Sequence, residues 1–204
     1  MTGTRIAMAT RNAGKLAEVR SALAAVVPSI EVLGLDDLPE VPEAAETGAT
    51  FAENALLKAR AVAEAIGLPA IADDSGIVVD VLDGFPGVQS ARWAGDSVTD
   101  SERNARLIER VRASGRPESE WTARFVCALA LVMPGGEAHV FEGTIEGRLV
   151  PEPRGRNGFG YDPVFLVPGL GRTTAELTRE EKNAISHRGK AVRALAERLP
   201  ALLR

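Results

Sequence analysis

The 204-residue chain has almost none of the residues that build covalent or thiolate-metal frameworks. Cys127 is its one cysteine, which excludes an intrachain disulfide and a cluster of thiolate ligands. This cysteine stands in the apolar run FVCALALV, and that setting predicts a buried structural thiol rather than a nucleophile. Because nothing in this cysteine usage calls for an oxidising compartment, we expect a cytoplasmic location.

Long apolar runs and a basic excess are also missing. No stretch is long enough to span a bilayer, and the opening MTGTRIAMAT lacks the apolar core and cleavage site of a signal peptide, so we expect none. The net charge is −4, whereas duplex nucleic acid and anionic membranes attract basic surfaces. We therefore expect neither as a partner. A local cationic pocket for a small anionic substrate remains compatible with this charge.

The length and the patterning predict one α/β domain over residues 1–204. A short strand precedes a helix with an apolar stripe, and a second helix begins with the capping-box residues Thr50 and Glu53 and ends at Gly67. Two later strands joined by PGG predict a hairpin, and two helices follow. Early strand–helix alternation with a late hairpin predicts a mixed β-sheet with helices on its faces.

Two segments place cations where an anion could bind. The segment ATRNAGK follows a strand and opens a helix, so its free N–H groups and Lys15 suit a phosphate. The alternative is an ordinary turn capped by Thr10 or Asn12. Lys58 falls on the apolar face of its helix, which fits either a lysine at the edge of the core or a cation aimed into a cleft.

The adjacent acids of ADDSGI interrupt an apolar run, where buried carboxylates need compensation. With Glu46, Asp73 and Asp74 offer the one or two carboxylates that Mg²⁺ takes beside phosphate oxygens and water. The alternative is that one of the pair caps a turn. Because neighbours on a strand point to opposite faces, either the chain turns at Asp73, or one acid does chemistry while the other braces the loop.

Two further segments suit recognition of a ring. In GRNGFGYDP, glycines flank Phe159, which could stack on a base while Asp162 accepts a hydrogen bond. The alternative is a glycine-rich turn with aromatic core plugs. REEKNAISHRGKA gathers polar donors near a helix start, although a solvated helix face is the simpler interpretation. Its candidate groups are Lys182, His187, Arg188 and Lys190.

Together these stretches resemble the inosine triphosphate pyrophosphatase-like enzymes, also called dITP/XTP or non-canonical purine NTP pyrophosphatases. The matching stretches run in family order from residue 9 to 191: TRNAGK, AETG, FAENALLKA, ADDSGIVVDVLDGFPGVQSARWAG, GFGYDPVF and AELTREEKNAISHRGKA. The resemblance implies an ITPase-like, anticodon-like α/β fold with a long mixed sheet, two lobes and an active-site cleft between them. It also implies a homodimer and hydrolysis of ITP, dITP and XTP to the monophosphate and pyrophosphate, with Mg²⁺ as cofactor.

The resemblance further implies roles for matching residues. Asp74 corresponds to the proton acceptor and a magnesium ligand, Glu46 to a second metal-site acid, and Asp73 to a supporting neighbour that could assist the metal from outside its ligands. Phosphate-side contacts are expected from Thr10, Arg11, Asn12, Ala13, Gly14, Lys15, Lys58 and Ser75. Base-side and remaining substrate contacts are expected from Phe159, Gly160, Tyr161, Asp162, Lys182, His187 and Arg188. Arg11 departs from the family, since many members have glycine there, and its effect on the loop stays open.

Preference for a 6-oxo purine requires a hydrogen-bond donor at O6, either a backbone N–H group or a side chain such as Arg188 or Lys182. Two other functions compete. A related septum-inhibitor-type pyrophosphatase would act on modified or pyrimidine nucleotides, but SHRGKA and GFGYDP count against it. A non-catalytic nucleotide-binding regulator would be expected to lack the acid or lysine positions, and these are present.

Overall fold

A computed structural model describes residues 4–41, 44–95 and 97–203. Within these ranges the chain forms seven β-strands and five α-helices, confirming the predicted α/β class. None of the helices in the described part is both long and apolar enough to cross a membrane. In chain order the elements are β1 (Thr4–Met8), α1 (Ala13–Val26), β2 (Ile30–Leu33), α2 (Phe51–Ile66), β3 (Ala70–Val79), α3 (Asp100–Ala113), β4 (Thr122–Val132), β5 (Ala138–Leu149), β6 (Phe165–Val167), β7 (Arg172–Thr173), α4 (Arg179–Ile185) and α5 (His187–Leu202).

The strands form one mixed sheet in the order β2-β1-β3-β4-β5-β6-β7. β1 runs parallel to β2 and β3, whereas β6 runs antiparallel to β5 and β7. β4 and β5 are neighbours joined by a tight turn in which the Met133 N–H donates to the Glu137 carbonyl at 2.9 Å. The mixed sheet and the hairpin connection predicted from the sequence are therefore confirmed.

The helices begin where their capping sequences predict. α2, α3 and α4 follow Thr50, Thr99 and Thr178, and each hydroxyl accepts the backbone N–H three residues further on. α2 stops at Gly67, whose φ of 65° lies in the left-handed region that glycine adopts without a steric penalty. Local hydrogen bonds set these boundaries, which is why the sequence alone predicts them.

Contacts divide the chain into two compact units. Unit 1 contains the described parts of residues 1–74, 127–143 and 187–204, and unit 2 contains those of 75–126 and 144–186. The two units are in keeping with the predicted two-lobed organisation. β3, β4 and β5 each begin in one unit and end in the other, and β3 crosses between Asp74 and Ser75.

Strands of unit 1 are buried on both faces, and the faces are filled differently. Large side chains of one face pack with α1 and α5, whereas small side chains of the other face pack with α2. The large set includes Ile6, Met8, Ile71, Leu129 and Leu131, and the small set includes Ala7, Ala70, Ala72, Ala128 and Ala130. Because strand residues alternate between faces, this division determines where each later residue of β3 points.

Cys127 belongs to the large-residue face of unit 1 and is fully buried. Burial raises the pKa of its thiol to about 12, because a thiolate has no favourable solvation there. The predicted structural thiol is confirmed.

Unit 2 has its own core, in which α3 packs on strand residues. Leu107 and Val111 of α3 join Ile77, Trp121 and Phe125 in this core. The ring of Phe125 lies 4.4 Å from that of Phe165, measured between centroids. α3 is thereby anchored to unit 2 through its apolar face.

Candidate active site

The two adjacent acids lie within an unbroken strand. β3 is continuous from Ala70 to Val79, so the alternative in which the chain turns at Asp73 is wrong. Asp73 shares the face of Ile71, toward α1 and α5, and Asp74 shares the face of Ala72, toward α2. Both carboxylates are buried, with Asp73 1% exposed and Asp74 5%. The alternation of the strand therefore sends each acid to a different set of partners.

Asp73 is compensated by two cations. Its Oδ2 lies 3.2 Å from Lys15 Nζ and accepts hydrogen bonds from Arg188 Nε at 3.2 Å and Nη2 at 3.0 Å. Arg188 Nη1 donates to the carboxylate of Glu18, itself buried on α1. Burial alone would raise the pKa of Asp73, but the charges of Lys15 and Arg188 outweigh it and hold that pKa well below its usual range. Asp73 is therefore ionised at neutral pH.

The Arg188 side chain belongs to the buried ion-pair network of Asp73 and Glu18. It is 2% exposed, and although burial disfavours its charge, Asp73 and Glu18 raise the pKa of the guanidinium above its ordinary value. The predicted substrate role of this residue remains a prediction, while the structure assigns its side chain to the interior of unit 1. The sequence gives no sign of Glu18 as its partner, because an acid on an amphipathic helix usually faces solvent.

Asp74 is met by α2. Lys58 Nζ donates to Asp74 Oδ1 at 3.0 Å and to Glu46 Oε1 at 2.7 Å. Asn54 Nδ2 donates to Asp74 Oδ2 at 3.2 Å, and Asn54 Oδ1 accepts the Gly48 N–H at 2.8 Å. Lys58 therefore extends from α2 to two carboxylates, and its phosphate-side role stays a prediction. Sequence reasoning missed Asn54, although its position one turn before Lys58 on the same helix face was a usable signal.

Charge and burial leave Asp74 more basic than an ordinary aspartate. Burial raises the pKa of Asp74, Lys58 opposes that rise, and the nearby Glu46 adds to it. Burial also lowers the pKa of Lys58, but the surrounding carboxylates outweigh it and the pKa is raised overall. Lys58 therefore stays protonated, and Asp74 has the raised basicity that suits a proton acceptor.

A cavity of about 190 Å³ adjoins this cluster in unit 1. Three cations and one acid line it, so it suits a small, strongly anionic group. Its lining consists of Ala9, Thr10, Arg11, Lys15, Leu35, Val41, Ala44, Glu46, Lys58 and Val62.

The segment from Thr10 to Lys15 leads from β1 into α1. Asn12 is the N-cap, as one sequence alternative held: its Oδ1 accepts the Lys15 N–H at 3.0 Å. The Asn12 N–H donates to Thr10 Oγ1 at 3.2 Å. Ala13 and Gly14 begin α1 beside the cavity-lining residues. The segment is therefore both a capped helix start and part of the wall of a cationic cavity.

A second cluster lies in unit 2, around the glycine-rich loop. Asp162 Oδ2 accepts the Phe159 N–H at 2.8 Å and pairs with Lys182 Nζ at 2.6 Å, while Thr174 Oγ1 donates to Asp162 Oδ1 at 2.8 Å. Lys182 Nζ also lies 4.8 Å from the centroid of the Phe159 ring. Three of the predicted base-side residues are thus brought together.

Tyr161 behaves as the core plug that was the alternative for this loop. Its hydroxyl donates to the Ser90 carbonyl at 2.6 Å and accepts the Trp93 indole N–H at 2.7 Å. Burial raises the pKa of Tyr161 to about 12. Phe159 is half-buried by contrast, so the two aromatics of the loop have different environments.

The remaining predicted residues flank these clusters along the chain. Ser75 is half-buried and is the first residue of unit 2, directly after Asp74. His187 is buried and begins α5 in unit 1, directly before Arg188. Gly143 passes so close to this helix start that a Cβ there would lie 2.1 Å from the His187 carbonyl oxygen.

The donor set of unit 1 fits a magnesium ion. Among the described residues, no group of three or more His, Cys, Asp or Glu side chains comes together. Mg²⁺ does not need such a cage, since it takes one or two carboxylates and completes its shell with phosphate oxygens and water. Glu46 and Asp74 provide two carboxylates that converge on one Lys58 ammonium, so both lie within reach of a single cationic centre.

An α/β fold in which a cavity lined by cations adjoins buried carboxylates is typical of proteins that bind phosphorylated small molecules. The sequence profile of the Ham1 family matches residues 6–198. The chain belongs to the Ham1 family, so the identification made from its motifs is confirmed.

Relatives and solved structures agree with this membership. The chain is 52% identical to the dITP/XTP pyrophosphatase of Symbiobacterium thermophilum over 203 residues, covering 100% of this chain and 98% of that protein. It is 52% identical to the Streptomyces coelicolor dITP/XTP pyrophosphatase over 200 residues, covering 98% and 99%. A HAM1 protein from Coxiella burnetii superposes with a TM-score of 0.86 at 42% identity, covering 97% of this chain and 99% of that one. The Mycobacterium abscessus nucleoside-triphosphatase / dITP/XTP pyrophosphatase gives 0.74 at 47% identity, covering 94% and 98%.

Proposed function

We propose that this protein is a nucleoside-triphosphate pyrophosphatase that hydrolyses ITP, dITP and XTP to the monophosphate and pyrophosphate. The observation that carries the proposal is the pairing of Lys58 with Asp74 and Glu46 beside a cavity lined by further cations. Its support from relatives is that proteins 52% identical over nearly the full chain are named dITP/XTP pyrophosphatases. Such an activity would remove damaged purine nucleotides before polymerases use them.

Unit 1 would bind the triphosphate. Lys15, Lys58 and Arg11 line the cavity and match the charge of a polyphosphate. The start of α1 adds the partial positive charge of a helix N-terminus beside Lys15. A phosphate chain held by these groups would be oriented for attack at one phosphorus.

Asp74 would accept the proton from the attacking water, and Asn54 and Lys58 would keep its carboxylate in place. The water oxygen bonds to the α-phosphorus, the bond from that phosphorus to the α–β bridging oxygen breaks, and pyrophosphate leaves. Glu46 and Asp74 would hold Mg²⁺, which supplies neutralisation of charge on the phosphate oxygens. Lys58 contributes a fixed charge to the same region.

Unit 2 would recognise the purine ring. The half-buried Phe159 offers a stacking face, and Lys182 carries donors beside it. A 6-oxo group accepts a hydrogen bond from such a donor, whereas the 6-amino group of adenine cannot. The Arg188 guanidinium is bound by Asp73 and Glu18 in unit 1, whereas Lys182 lies beside the Phe159 ring. Lys182 or a backbone N–H group is therefore the better-supported donor to O6.

A substrate panel tests the activity. With Mg²⁺, we expect pyrophosphate release from ITP, dITP and XTP at least about 100-fold faster than from ATP or GTP. Hydrolysis in ¹⁸O-labelled water should place the label in the monophosphate, because the α-phosphorus is attacked. Label in pyrophosphate, or orthophosphate as the first product, would contradict the bond assignment, and equal rates on ATP would contradict the substrate assignment.

The same panel separates the competing functions. A preference for pyrimidine nucleotides would favour the septum-inhibitor-type enzyme, and ITP binding without turnover would favour a regulator. Omitting Mg²⁺ and adding EDTA should abolish turnover and leave the circular dichroism spectrum unchanged. A homodimer and a cytoplasmic location also stay predictions, and light scattering of the purified protein tests the first of them.

A further inference from the structure

α3 holds Gly160 by both of its backbone polar groups. Asp100 Oδ2 accepts the Gly160 N–H at 2.6 Å, and Asn104 Nδ2 donates to the Gly160 carbonyl at 2.9 Å. Asp100 and Asn104 are four residues apart, so their side chains lie on the same face of α3. The sequence motifs gave neither residue a functional role.

These two hydrogen bonds determine the backbone conformation at Gly160. Its N–H belongs to the peptide plane shared with Phe159, and its carbonyl belongs to the plane shared with Tyr161. Holding both planes therefore fixes the φ and ψ angles between them. The φ of Gly160 is 61°, and a Cβ there would meet nothing within 4 Å. Hydrogen bonding from α3, rather than close packing, therefore restrains the most adaptable residue of the loop.

The two anchors are themselves fixed to unit 2. Arg103 Nη1 lies 2.6 Å from Asp100 Oδ1, and Arg103 Nη2 donates to the Val98 carbonyl at 3.1 Å. Asn104 is 3% exposed and precedes Leu107, which is fully buried in the core of unit 2. The restraint on Gly160 is therefore transmitted from a packed helix.

The residues next to Gly160 carry the ring-binding groups. The Phe159 N–H donates to the carboxylate of Asp162, and the same carboxylate oxygen pairs with Lys182. A rotation at Gly160 would therefore turn the Phe159 ring away from the Lys182 ammonium. We propose that Asp100 and Asn104 are positioning residues for base recognition, holding Gly160 so that Phe159 and Lys182 meet the purine in one fixed arrangement. This inference rests on the proposed function.

Two probes separate base recognition from phosphate binding. IMP carries the base and one phosphate, whereas inorganic tripolyphosphate carries no base. For Asn104→Leu, which removes the donor at similar shape, we expect IMP affinity by calorimetry to fall about tenfold, and tripolyphosphate affinity to stay unchanged. Asp100→Asn keeps a weaker acceptor, and we expect a smaller loss of about threefold. In kinetics, both variants should raise KM for ITP and lower the ITP-to-ATP preference more than they lower kcat.

Val111→Ala is the matched control, because it weakens the packing of the same helix and leaves the contacts to Gly160 intact. It should lower Tm without changing IMP affinity. If it changes IMP affinity as much as Asn104→Leu does, the role of Asn104 is merely structural and the inference is overturned. If Asn104→Leu fails to fold, Asp100→Asn decides, since its side chain lies at the exposed first turn of α3.

The two proposals fail in different ways. A wild-type protein that binds IMP but hydrolyses no triphosphate would refute the proposed function and leave the positioning role open to the calorimetric result. An active wild type whose two variants keep full IMP affinity and ITP preference would refute the positioning role alone. A wild type that binds no IMP would overturn both.

Discussion

The ammonium nitrogen of Lys58 lies 3.0 Å from Oδ1 of Asp74. The lysine reaches this carboxylate from α2, and it contacts Glu46 at 2.7 Å as well. One cation thus contacts two carboxylates in a partly buried environment. Several measurable properties depend on this relationship and on the contacts around it.

Asp74→Asn should remove the proton acceptor without removing the strand. We expect turnover of ITP to fall by about 10²- to 10⁴-fold, as loss of a general base does. Circular dichroism should be unchanged, and Tm should stay near the wild-type value. Asp36→Asn, an equivalent change at an exposed position of unit 1, should keep full activity. Normal turnover in Asp74→Asn would remove this residue from the base role.

The acid limb of the pH–rate profile should report the ionisation of the Asp74 carboxyl group. Turnover requires its carboxylate form, so kcat falls as pH drops through its pKa, which burial raises. Lys58 opposes that rise and Glu46 adds to it. Lys58→Gln should therefore move the limb to higher pH, whatever its absolute rate. Profiles at saturating ITP measure this, and an unchanged limb or one moved to lower pH would contradict the assignment.

Asp73→Asn should destabilise the fold, because it leaves Arg188 and Lys15 without their shared anion. We expect a loss of about 3–5 kcal/mol in the free energy of unfolding in urea at pH 7. Asp80→Asn, which breaks a surface contact to Arg124, should cost less than about 1 kcal/mol. Comparable losses in the two variants would show that burial of the Asp73 network adds nothing to stability.

The cost at Asp73 should also depend on pH. Its pKa is lowered in the folded state, so its contribution is complete above the unfolded value of about 3.9 and is lost as pH falls toward the folded pKa. The stability gap between wild type and Asp73→Asn should therefore narrow below about pH 4. Urea unfolding at a series of acidic pH values measures the gap, and a constant gap would contradict the lowered pKa.

Alanine at two loop glycines should have unequal effects. At Gly158 a Cβ would lie 2.0 Å from Asp162 Oδ2, and φ is 78°, so Gly158→Ala should displace Asp162 and sharply weaken IMP binding. At Gly160 space is open and only the left-handed φ is unfavourable, which costs about 1 kcal/mol. Thermal unfolding and IMP calorimetry compare them, and the reverse order would contradict the described loop geometry.

Arg11 should contribute to phosphate binding specifically. It lines the cavity with Lys15 and Lys58, so Arg11→Ala should raise KM for ITP about three- to tenfold and weaken tripolyphosphate binding more than IMP binding. Arg60→Ala, on the exposed side of α2, is the control with the same loss of charge. An unchanged affinity for tripolyphosphate would leave Arg11 outside the binding machinery.

Much of the fold was accessible from local patterns. The capping box of Thr50 and Glu53 and the stop at Gly67 predicted both ends of α2, and the PGG turn predicted the β4–β5 hairpin. The motifs placed the chain in its family and singled out Lys58 and the two acids of β3. The alternative in which the chain turns at Asp73 was wrong. Lys15 of α1 and Arg188 of α5 compensate the buried carboxylate, so the strand stays regular there.

Three residues whose contacts matter in the folded chain were missed for a different reason. Glu18, Asn54 and Asp100 look like ordinary polar positions of amphipathic helices. Their roles depend on what folding brings opposite them, such as Gly160, which lies 60 residues beyond Asp100. Only for Asn54 did helical spacing from Lys58 offer a hint.

The sequence by itself predicted the helices, the longer strands, the family and the set of ionisable groups, because caps, periodicity and motifs act over short distances along the chain. Tertiary structure alone decided what each charge does. Arg188 binds Asp73, which lies 115 residues away in the sequence. The adjacent residue, Asp74, binds Lys58 instead. The energy of a buried charge depends on its distance from other charges and from water, and these distances exist only in the folded chain.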